Sequence, residues 1–337
     1  MGLHSKIIGT GSYVPPNKLT NFDLEAMLDT SDEWIQQRSG IITRYWADAE
    51  TCTSDLAFEA SKIAIEKSGL KTSDIDMIVF ATITPDHDFP GCGVFLQRKL
   101  GLPGIACLDI RQACSGFIYA LAIADNFIKG GTHKNILVVG AEIHSKGMDK
   151  TPEGRNISVL FGDGAGACVV SACDVQKPAK DPHVINTFLH ADGTYAEELW
   201  LPGPGSNLGP DRFSQDLLDR KLHYPEMKGK TVFVHAIKRM CEVLEESINA
   251  SQYSLDDIDI FLFHQANMRI NSKVAEILKL PESKVFNTIQ DFGNTTAATI
   301  PIGMDVALRD GVLKPGMLVG SAAFGSGFAW ASGLWRM

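Results

Sequence analysis

Three side chains in this 337-residue sequence could together transfer an acyl group: the thiol of Cys114, the imidazole of His264 and the carboxamide of Asn294. A thiolate can be acylated, while the other two groups can donate hydrogen bonds to the charge that develops on a thioester oxygen. Each residue also has an ordinary structural explanation when it is considered alone. A free cysteine is commonly a small core residue, and an asparagine before a helix is commonly its N-cap. The elements that carry the three residues decide between these interpretations.

Cys114 lies where a predicted strand passes into a predicted helix. The apolar run 105–108 favours a short buried strand, and a helical pattern begins just after Ala113 and ends at Gly130 and Gly131. That helix is apolar almost all the way round, which is typical of a helix buried in the interior. Because the backbone N–H groups at a helix start stabilise a thiolate, we expect the pKa of the Cys114 thiol to be lowered.

The two halves of the chain repeat one order of elements. Residues 73–80 resemble residues 256–263, and each of these segments follows an amphipathic helix and precedes a helix that ends in a Leu-x-Leu-Pro turn. The continuous apolar run 77–81 predicts a strand that is buried on both faces of a parallel sheet. Each half closes with a Gly-rich hairpin, at 161–167 and at 324–329. Several matched features in one order indicate an α/β protein built from a duplicated β-α-β unit.

This duplication divides the chain into an N-terminal half, residues 1–175, and a C-terminal half, residues 176–337. A duplicated α/β unit usually places its ligand site between the halves, at the C-terminal ends of strands. His264 ends an apolar strand of the second half, and the repeat superposes Cys114 on Asn294. We therefore expect the thiol, the imidazole and the carboxamide to converge.

The segment 201–227 interrupts the regular order of elements. It contains several prolines and glycines, which predict an irregular loop. A loop of this length inside a compact domain is usually functional or mobile.

Composition and charge narrow the class of protein. A hydrophobic content of 45% with 21% charged residues is typical of a globular fold, and a net charge of −9 argues against a general affinity for nucleic acid. No apolar segment reaches the ~18–20 residues that a membrane span needs, and residues 1–6 lack the pattern of a secretion signal. The seven cysteines show no C-x-x-C spacing, so we expect neither disulfides nor a metal site, and a cytoplasmic location.

Six motifs follow one another along the chain. They are TSDEWI at 30–35, ACSGF at 113–117, LFGDGAGA at 160–167, HQANMRI at 264–270, GNTTAA at 293–298 and FGSGFAW at 324–330. In this order, and over essentially the whole chain, they resemble the β-ketoacyl-acyl carrier protein synthase III family, the initiating condensing enzymes of type II fatty-acid synthesis. The resemblance implies the thiolase-like fold, with five layers in the order α-β-α-β-α and two pseudo-repeated halves.

The resemblance also implies a catalytic triad of Cys114, His264 and Asn294. Cys114 takes an acyl group from acyl-coenzyme A, and a malonyl thioester of acyl carrier protein then enters and loses carbon dioxide. His264 and Asn294 stabilise the enolate, which attacks the acyl-enzyme to give a 3-oxoacyl thioester. The backbone N–H groups of Cys114 and Ser326 form the oxyanion hole, although the family usually has glycine at 326. No cofactor is implied, because both thioesters are substrates.

Further residues are implied for substrate binding. Trp34 and Arg155 are expected to sandwich the adenine of coenzyme A, and Arg38 and Asn267 to contact the rest of it. The ordinary interpretation of these residues is a surface tryptophan and solvated polar side chains. Phe89 matches a family position that reaches across a homodimer to close the acyl tunnel, which favours short starter groups.

Acyl carrier protein is the expected protein partner, and its acidic surface would dock on basic residues near the tunnel mouth. The candidates for this docking are Arg269, Lys230 and Lys238. Where the family has a docking lysine this chain has Val234, and Glu276 lies on the neighbouring predicted helix.

Two alternatives stay open at this point. Val234 and the segment 201–227 leave room for a homologous condensing enzyme of secondary metabolism, of the alkylquinolone or polyketide type. Such an enzyme would use an unusual starter, or coenzyme A thioesters for both substrates. A catalytically silent binding subunit on the same scaffold is the other alternative, and the intact triad argues against it.

Overall fold

The structure, a computed structural model, describes residues 3–337. The strands in this range are β1 (His4–Tyr13), β2 (Lys18–Thr20), β3 (Thr43–Tyr45), β4 (Met77–Ala81), β5 (Ala106–Ile110), β6 (Asn135–Glu142), β7 (Gly164–Cys173), β8 (His183–Ala191), β9 (Leu199–Trp200), β10 (Glu226–Met227), β11 (Ile260–Phe261), β12 (Leu318–Gly325) and β13 (Ala329–Arg336). The α-helices are α1 (Asn21–Glu25), α2 (Asp32–Ser39), α3 (Thr53–Ser68), α4 (Cys92–Leu100), α5 (Gly116–Lys129), α6 (Arg155–Ser158), α7 (Gln215–Asp219), α8 (Gly229–Asn249), α9 (Met268–Ile277), α10 (Ile289–Phe292) and α11 (Thr299–Arg309). No helix among the described residues combines the length and the apolar character that a membrane crossing requires.

Five strands form the first sheet, in the order β1-β7-β6-β4-β5. The strands β6, β4 and β5 run parallel, whereas β7 pairs antiparallel with both β1 and β6. Ala106 and Leu108 of β5 are exposed, so the burial predicted for the run 105–108 is wrong, because β5 ends the sheet order. β4 and β6 are buried along their whole length. Continuous apolar strands of this kind belong to parallel sheets that are covered on both faces, and the strand predicted over 77–81 is confirmed.

Four strands form the second sheet, in the order β8-β13-β12-β11. An isolated bridge from Phe261 to Val285 extends this sheet beyond β11, at the place where β5 extends the first sheet beyond β4. The second sheet therefore repeats the strand order of the first, and the predicted duplication is confirmed. The boundary between the halves at residue 175 stays a prediction.

Helices α5 and α11 form the middle layer between the two sheets. Phe117 and Leu121 of α5 and Met304 of α11 are fully buried in one core with residues from both sheets. Helices α3 and α4 cover the outer face of the first sheet, and α8 and α9 cover that of the second. Burial of each such large side chain stabilises the fold by about 1.5–3 kcal/mol. The result is the predicted five-layered α-β-α-β-α fold.

The backbone corrects one equivalence that the sequence repeat suggested. A short 3₁₀ turn precedes α5, and a matching 3₁₀ turn precedes α11. Both turns begin with a residue in the left-handed region, Ala113 at φ 44° and Thr296 at φ 47°. The structural equivalent of Cys114 is therefore Ala297. Asn294 lies before its turn, and its pairing with Cys114 was wrong because the motif spacing does not show which residue adopts the left-handed backbone.

The segment 201–227 is more ordered than its composition predicts. β9 and β10 pair antiparallel at its base, and α7 lies within it. The Lys221 ammonium lies 3.2 Å from the Asp149 carboxylate, which ties the segment to the N-terminal half of the chain.

Candidate active site

Cys114 lies in the turn that leads into α5, and it is only 7% exposed. Gly325, the last residue of β12, lies directly against it. A Cβ at position 325 would be 2.6 Å from the Cβ of Cys114 and 2.9 Å from its sulfur. The thiol therefore sits where the two halves meet, and it has room there only because residue 325 is glycine.

The environment of the thiol differs from the prediction. Burial raises the pKa of the Cys114 thiol to about 12, and the charge of Glu142 adds to the shift. Hydrogen bonds from the backbone N–H groups of Cys114 and Ser326 oppose the shift. The predicted lowering of the pKa is wrong because the turn before α5 is buried, and the loss of hydration outweighs the hydrogen bonds that favour the thiolate.

Ser326 presents its backbone N–H to the Cys114 sulfur, while its side chain is engaged elsewhere. The Ser326 hydroxyl donates to the carbonyl oxygen of Leu199 at 2.5 Å. This hydrogen bond fastens the hairpin between β12 and β13 to β9. Both N–H groups predicted for the oxyanion hole therefore lie near enough to the sulfur to lower the pKa of the thiol.

His264 follows β11 and is only 2% exposed. Its backbone N–H donates to the carbonyl oxygen of Ala322 at 3.0 Å, which fixes the residue beside β12. Nδ1 lies 2.7 Å from the Thr299 hydroxyl, and the buried Nε2 has no hydrogen-bond partner among residues 3–337. Burial lowers the pKa of His264 to about 3, so the imidazole is neutral near pH 7.

Asn294 is held by backbone hydrogen bonds on both sides. Its N–H donates to the carbonyl oxygen of Leu160 at 2.8 Å, and its carbonyl oxygen accepts the N–H of Gly162 at 3.1 Å. The side-chain oxygen Oδ1 accepts the N–H of Thr296 at 2.8 Å. Because a backbone N–H can only donate, Oδ1 must face Thr296, and the side-chain NH₂ is left to donate to a ligand.

Glu142, the last residue of β6, is a residue near the thiol that the sequence analysis missed. Its buried carboxyl accepts the N–H of Ile83 at 3.2 Å, the N–H of Thr84 at 3.1 Å and the Thr84 hydroxyl at 2.5 Å. These hydrogen bonds hold the chain that leaves β4. Burial raises the pKa of Glu142 to about 8. The signal in the sequence was an acid that directly follows the apolar run 136–141.

A cleft of about 540 Å³ joins the thiol to the surface. The buried part of its wall includes Cys114, Asn294 and Phe324. The partly or fully exposed part includes five residues that the sequence predicts for binding: Trp34, Arg38, Asn267, Lys230 and Arg269. The structure thus places Cys114 and Asn294 of the predicted triad, and these five predicted binding residues, around one cavity. His264 and Arg155 are not part of the wall that the described residues form.

Two guanidinium groups lie near the ring of Trp34. The distance to the ring centroid is 4.5 Å for Arg38 and 5.4 Å for Arg155. Arg155 also forms an ion pair of 2.9 Å with Asp29. Asn267 caps α9 with its side-chain oxygen and donates to the carbonyl oxygen of Arg38 at 2.8 Å, which ties α9 to α2.

Phe89 and Lys238 are not part of the cleft wall that the described residues form. Phe89 is 83% exposed on the loop after β4, so a single chain does not use it to close the cleft. Lys238 lies on α8, 3.9 Å from the Glu242 carboxylate. Arg269 lies 5.3 Å from the centroid of the Phe233 ring. The tunnel and docking roles of these residues stay predictions.

The duplicated five-layered fold, with a buried thiol where its halves meet, is that of a condensing enzyme of the thiolase superfamily. The family description 3-oxoacyl-[acyl-carrier-protein (ACP)] synthase III matches residues 108–193, and the description of the C-terminal part of the same family matches residues 248–337. The chain belongs to this family, whose members are also called β-ketoacyl-acyl carrier protein synthases III. It is an acyltransferase that initiates fatty-acid synthesis by condensation.

Individual relatives agree with this assignment. The chain is 44% identical to β-ketoacyl-[acyl-carrier-protein] synthase III of Caldanaerobacter subterraneus subsp. tengcongensis, over 97% of this chain and 96% of the relative. The crystal structure of 3-oxoacyl-[acyl-carrier-protein] synthase III from Aquifex aeolicus superposes with a TM-score of 0.88 at 41% identity, over 99% of this chain and 100% of that one. A priming β-ketosynthase of the R1128 polyketide pathway has a TM-score of 0.89 at 29% identity, over 99% of this chain and 96% of that one. The higher identities are to the fatty-acid enzymes, and secondary metabolism is not favoured.

Proposed function

We propose that the chain transfers a short acyl group from acyl-coenzyme A to Cys114 and condenses it there with malonyl-acyl carrier protein. In the first step the sulfur of Cys114 attacks the thioester carbonyl. A carbon–sulfur bond to the enzyme forms, the bond to coenzyme A breaks, and the thiol proton leaves with coenzyme A. The N–H groups of Cys114 and Ser326 stabilise the oxyanion of the tetrahedral intermediate.

In the second step the malonyl thioester loses carbon dioxide, and the electrons of the broken carbon–carbon bond form an enolate. Nε2 of His264 and the carboxamide NH₂ of Asn294 donate hydrogen bonds to the enolate oxygen. The enolate carbon attacks the acyl carbonyl, a carbon–carbon bond forms, and the Cys114 sulfur leaves and takes up one proton. The product is a 3-oxoacyl-acyl carrier protein.

One observation carries this proposal: the site holds two separate pairs of donors, and each pair suits one of the two oxyanions. The first pair, the backbone N–H groups of Cys114 and Ser326, lies close enough to the sulfur to favour the thiolate. The second pair is Nε2 of His264 and the side-chain NH₂ of Asn294. Nε2 has no hydrogen-bond partner among the described residues, and the NH₂ is free because Oδ1 accepts the Thr296 N–H. A two-step acyl transfer needs both pairs, whereas a binding subunit needs neither.

We propose that the exposed end of the cleft binds coenzyme A. Trp34 and Arg155 offer a ring and a planar cation for adenine, and Arg38 offers positive charge for the phosphates. Lys230 and Arg269 on the cleft wall and Lys238 on α8 are the proposed contacts of the acidic carrier protein, which must deliver its malonyl group through the same opening.

We propose a homodimer that forms along β5. This strand ends the sheet order, and one of its faces is uncovered, with Leu108 37% exposed. Other apolar side chains that are exposed near this edge are Ile83, Phe89 and Val94. An uncovered apolar edge strand is a place where a second chain adds. A dimer there would cover Phe89 and let it limit the acyl group of the partner to short chains.

We propose a cytoplasmic location without nucleic-acid partners. All seven cysteines are free in the structure, which suits a reducing compartment. The net charge of −9 disfavours binding to a polyanion.

The test of this function is the complete reaction with defined substrates. The protein is mixed with an acyl-coenzyme A and malonyl-acyl carrier protein, and the mass of the carrier is followed. With acetyl-coenzyme A the malonyl group should become a 3-oxobutanoyl group, and malonyl-coenzyme A should be a poor replacement for the malonyl carrier. Failure with acetyl, branched, medium-chain and aromatic starters alike would contradict the proposal.

A further inference from the structure

His264 can donate a hydrogen bond to the enolate oxygen only if its proton is on Nε2. A neutral imidazole carries one N–H, and the hydrogen bond made by the other ring nitrogen decides which nitrogen holds it. The position of this proton matters for catalysis only if the proposed function holds, and the hydrogen bond at Nδ1 determines that position.

Thr299, the first residue of α11, faces Nδ1 from a buried position. Its hydroxyl oxygen lies 2.7 Å from Nδ1 of His264 and 3.0 Å from the carbonyl oxygen of Thr296. A hydroxyl has one proton, so it can donate to only one of these two acceptors. The Thr296 carbonyl already accepts the backbone N–H of Thr299, and Nδ1 is the nearer of the two.

We propose that Thr299 is a positioning residue whose hydroxyl donates to Nδ1 of His264 and thereby holds the ring proton on Nε2. The opposite arrangement would keep the proton on Nδ1 and present a bare lone pair at Nε2. That lone pair would repel an oxyanion. The donor arrangement also accounts for the buried and unpartnered Nε2, because its N–H is then reserved for the substrate oxygen.

The same turn orients the second donor. The backbone N–H of Thr296 donates a hydrogen bond to Oδ1 of Asn294. The hydroxyl of Thr299, three residues further on, is hydrogen-bonded to Nδ1 of His264. The turn 296–299 therefore sets which atoms of both side chains are free to donate. The two enolate donors lie on separate segments of the C-terminal half, and this short turn aligns them.

The tautomer can be measured directly on the wild-type protein. Histidine labelled with ¹⁵N reports which ring nitrogen carries the proton, and the signals of His264 are identified as those missing from His264→Gln. We expect a protonated Nε2 and an unprotonated, hydrogen-bonded Nδ1. A protonated Nδ1 in the resting enzyme would overturn the proposal, and this measurement needs no turnover.

The functional test compares Thr299→Val, which removes the hydroxyl at nearly constant volume, with Thr299→Ser, which keeps it. Thr299→Val should still transfer acetyl groups to Cys114, while condensation with malonyl-acyl carrier protein should fall roughly 100-fold, the usual effect of losing one oxyanion donor. Thr299→Ser should recover most of the condensation rate. Equal loss of acylation and condensation, or no rescue by serine, would contradict a tautomer role.

These outcomes separate this inference from the proposed function. If wild type neither accepts an acyl group nor condenses it, the proposed function fails whatever the tautomer is. If wild type condenses and Thr299→Val, checked for folding by its thermal unfolding, condenses equally well, only the role of Thr299 fails.

Discussion

The backbone N–H of Thr296 donates to the side-chain oxygen of Asn294 at 2.8 Å, and this hydrogen bond turns the carboxamide so that its NH₂ is free. The orientation does not depend on how the oxygen and nitrogen are assigned, because an N–H has no lone pair to offer the NH₂. The carboxamide of Asn294 is therefore oriented to donate a hydrogen bond, and its substitution should slow the step that needs this donor, which is condensation.

Asn294→Ala should keep the acylation of Cys114 and lose condensation, by roughly 100-fold, because acylation uses the backbone N–H groups instead. Asn294→Asp should have the same effect while keeping an acceptor for the Thr296 N–H. Single-turnover experiments that measure coenzyme A release and carrier product separately would show the split. Normal condensation by either variant would refute the donor role of Asn294.

Gly325→Ala should block acylation of Cys114. The added Cβ would lie 2.9 Å from the sulfur, so the thiol must leave its position beside the Ser326 N–H. Gly303→Ala on α11 is the matched control, because a Cβ there meets no atom closer than 3.8 Å. Acylation is read from the intact mass after incubation with acetyl-coenzyme A. If Gly325→Ala were acylated as fast as Gly303→Ala, the tight contact at the thiol would not matter for the reaction.

Two buried histidines should make the fold sensitive to acid. Burial lowers the pKa of both His144 and His264 to about 3, from an ordinary value of 6.5. As the pH falls from 6.5 toward 3, the unfolded chain binds protons that the folded chain does not, so the free energy of unfolding decreases. Each histidine contributes a slope of up to about 1.4 kcal/mol per pH unit.

His144→Asn should therefore lose less stability than wild type over this pH range. Urea unfolding at several pH values measures both slopes. Glu142 acts in the opposite direction between pH 4.5 and 8, since burial raises its pKa to about 8, but wild type and His144→Asn both contain it. Identical slopes for wild type and His144→Asn would contradict the prediction.

Leu108→Glu should convert the proposed dimer into monomers. The substitution places charge on the uncovered face of the edge strand β5, where Leu108 is 37% exposed. Val312→Glu is the control, since Val312 is 42% exposed in the loop before β12. Sedimentation velocity should show the mass of a single chain for Leu108→Glu and the mass of a dimer for wild type and Val312→Glu. A dimer that persists in this variant would place the interface elsewhere.

The features that could be predicted from the sequence depend on local patterns of residue types. The apolar run 77–81 specifies a buried parallel strand, and the repeated order of helices and strands specifies two related sheets. The motifs that contain Cys114, His264 and Asn294 predict these residues as a catalytic triad, because each motif combines a reactive side chain with a strand end or a helix start.

The features that were missed depend on three-dimensional neighbours. Glu142 lies beside the thiol only because β6 neighbours β4, and Thr299 reaches His264 only because α11 enters between the sheets. The raised pKa of Cys114 depends on how deeply the turn before α5 is buried, which the sequence of the turn does not contain. The true equivalent of Cys114 in the repeat, Ala297, became visible only from the backbone angles.

The central claim, that Cys114 carries the acyl group between two steps, can be tested by one mass measurement. The protein is incubated with acetyl-coenzyme A, its intact mass is recorded, and malonyl-acyl carrier protein is then added. Wild type should gain one acetyl group on Cys114 and lose it to the carrier, while Cys114→Ala should gain none. If wild type stays unmodified with every starter, or if Cys114→Ala is modified equally, the chain is not the proposed condensing enzyme.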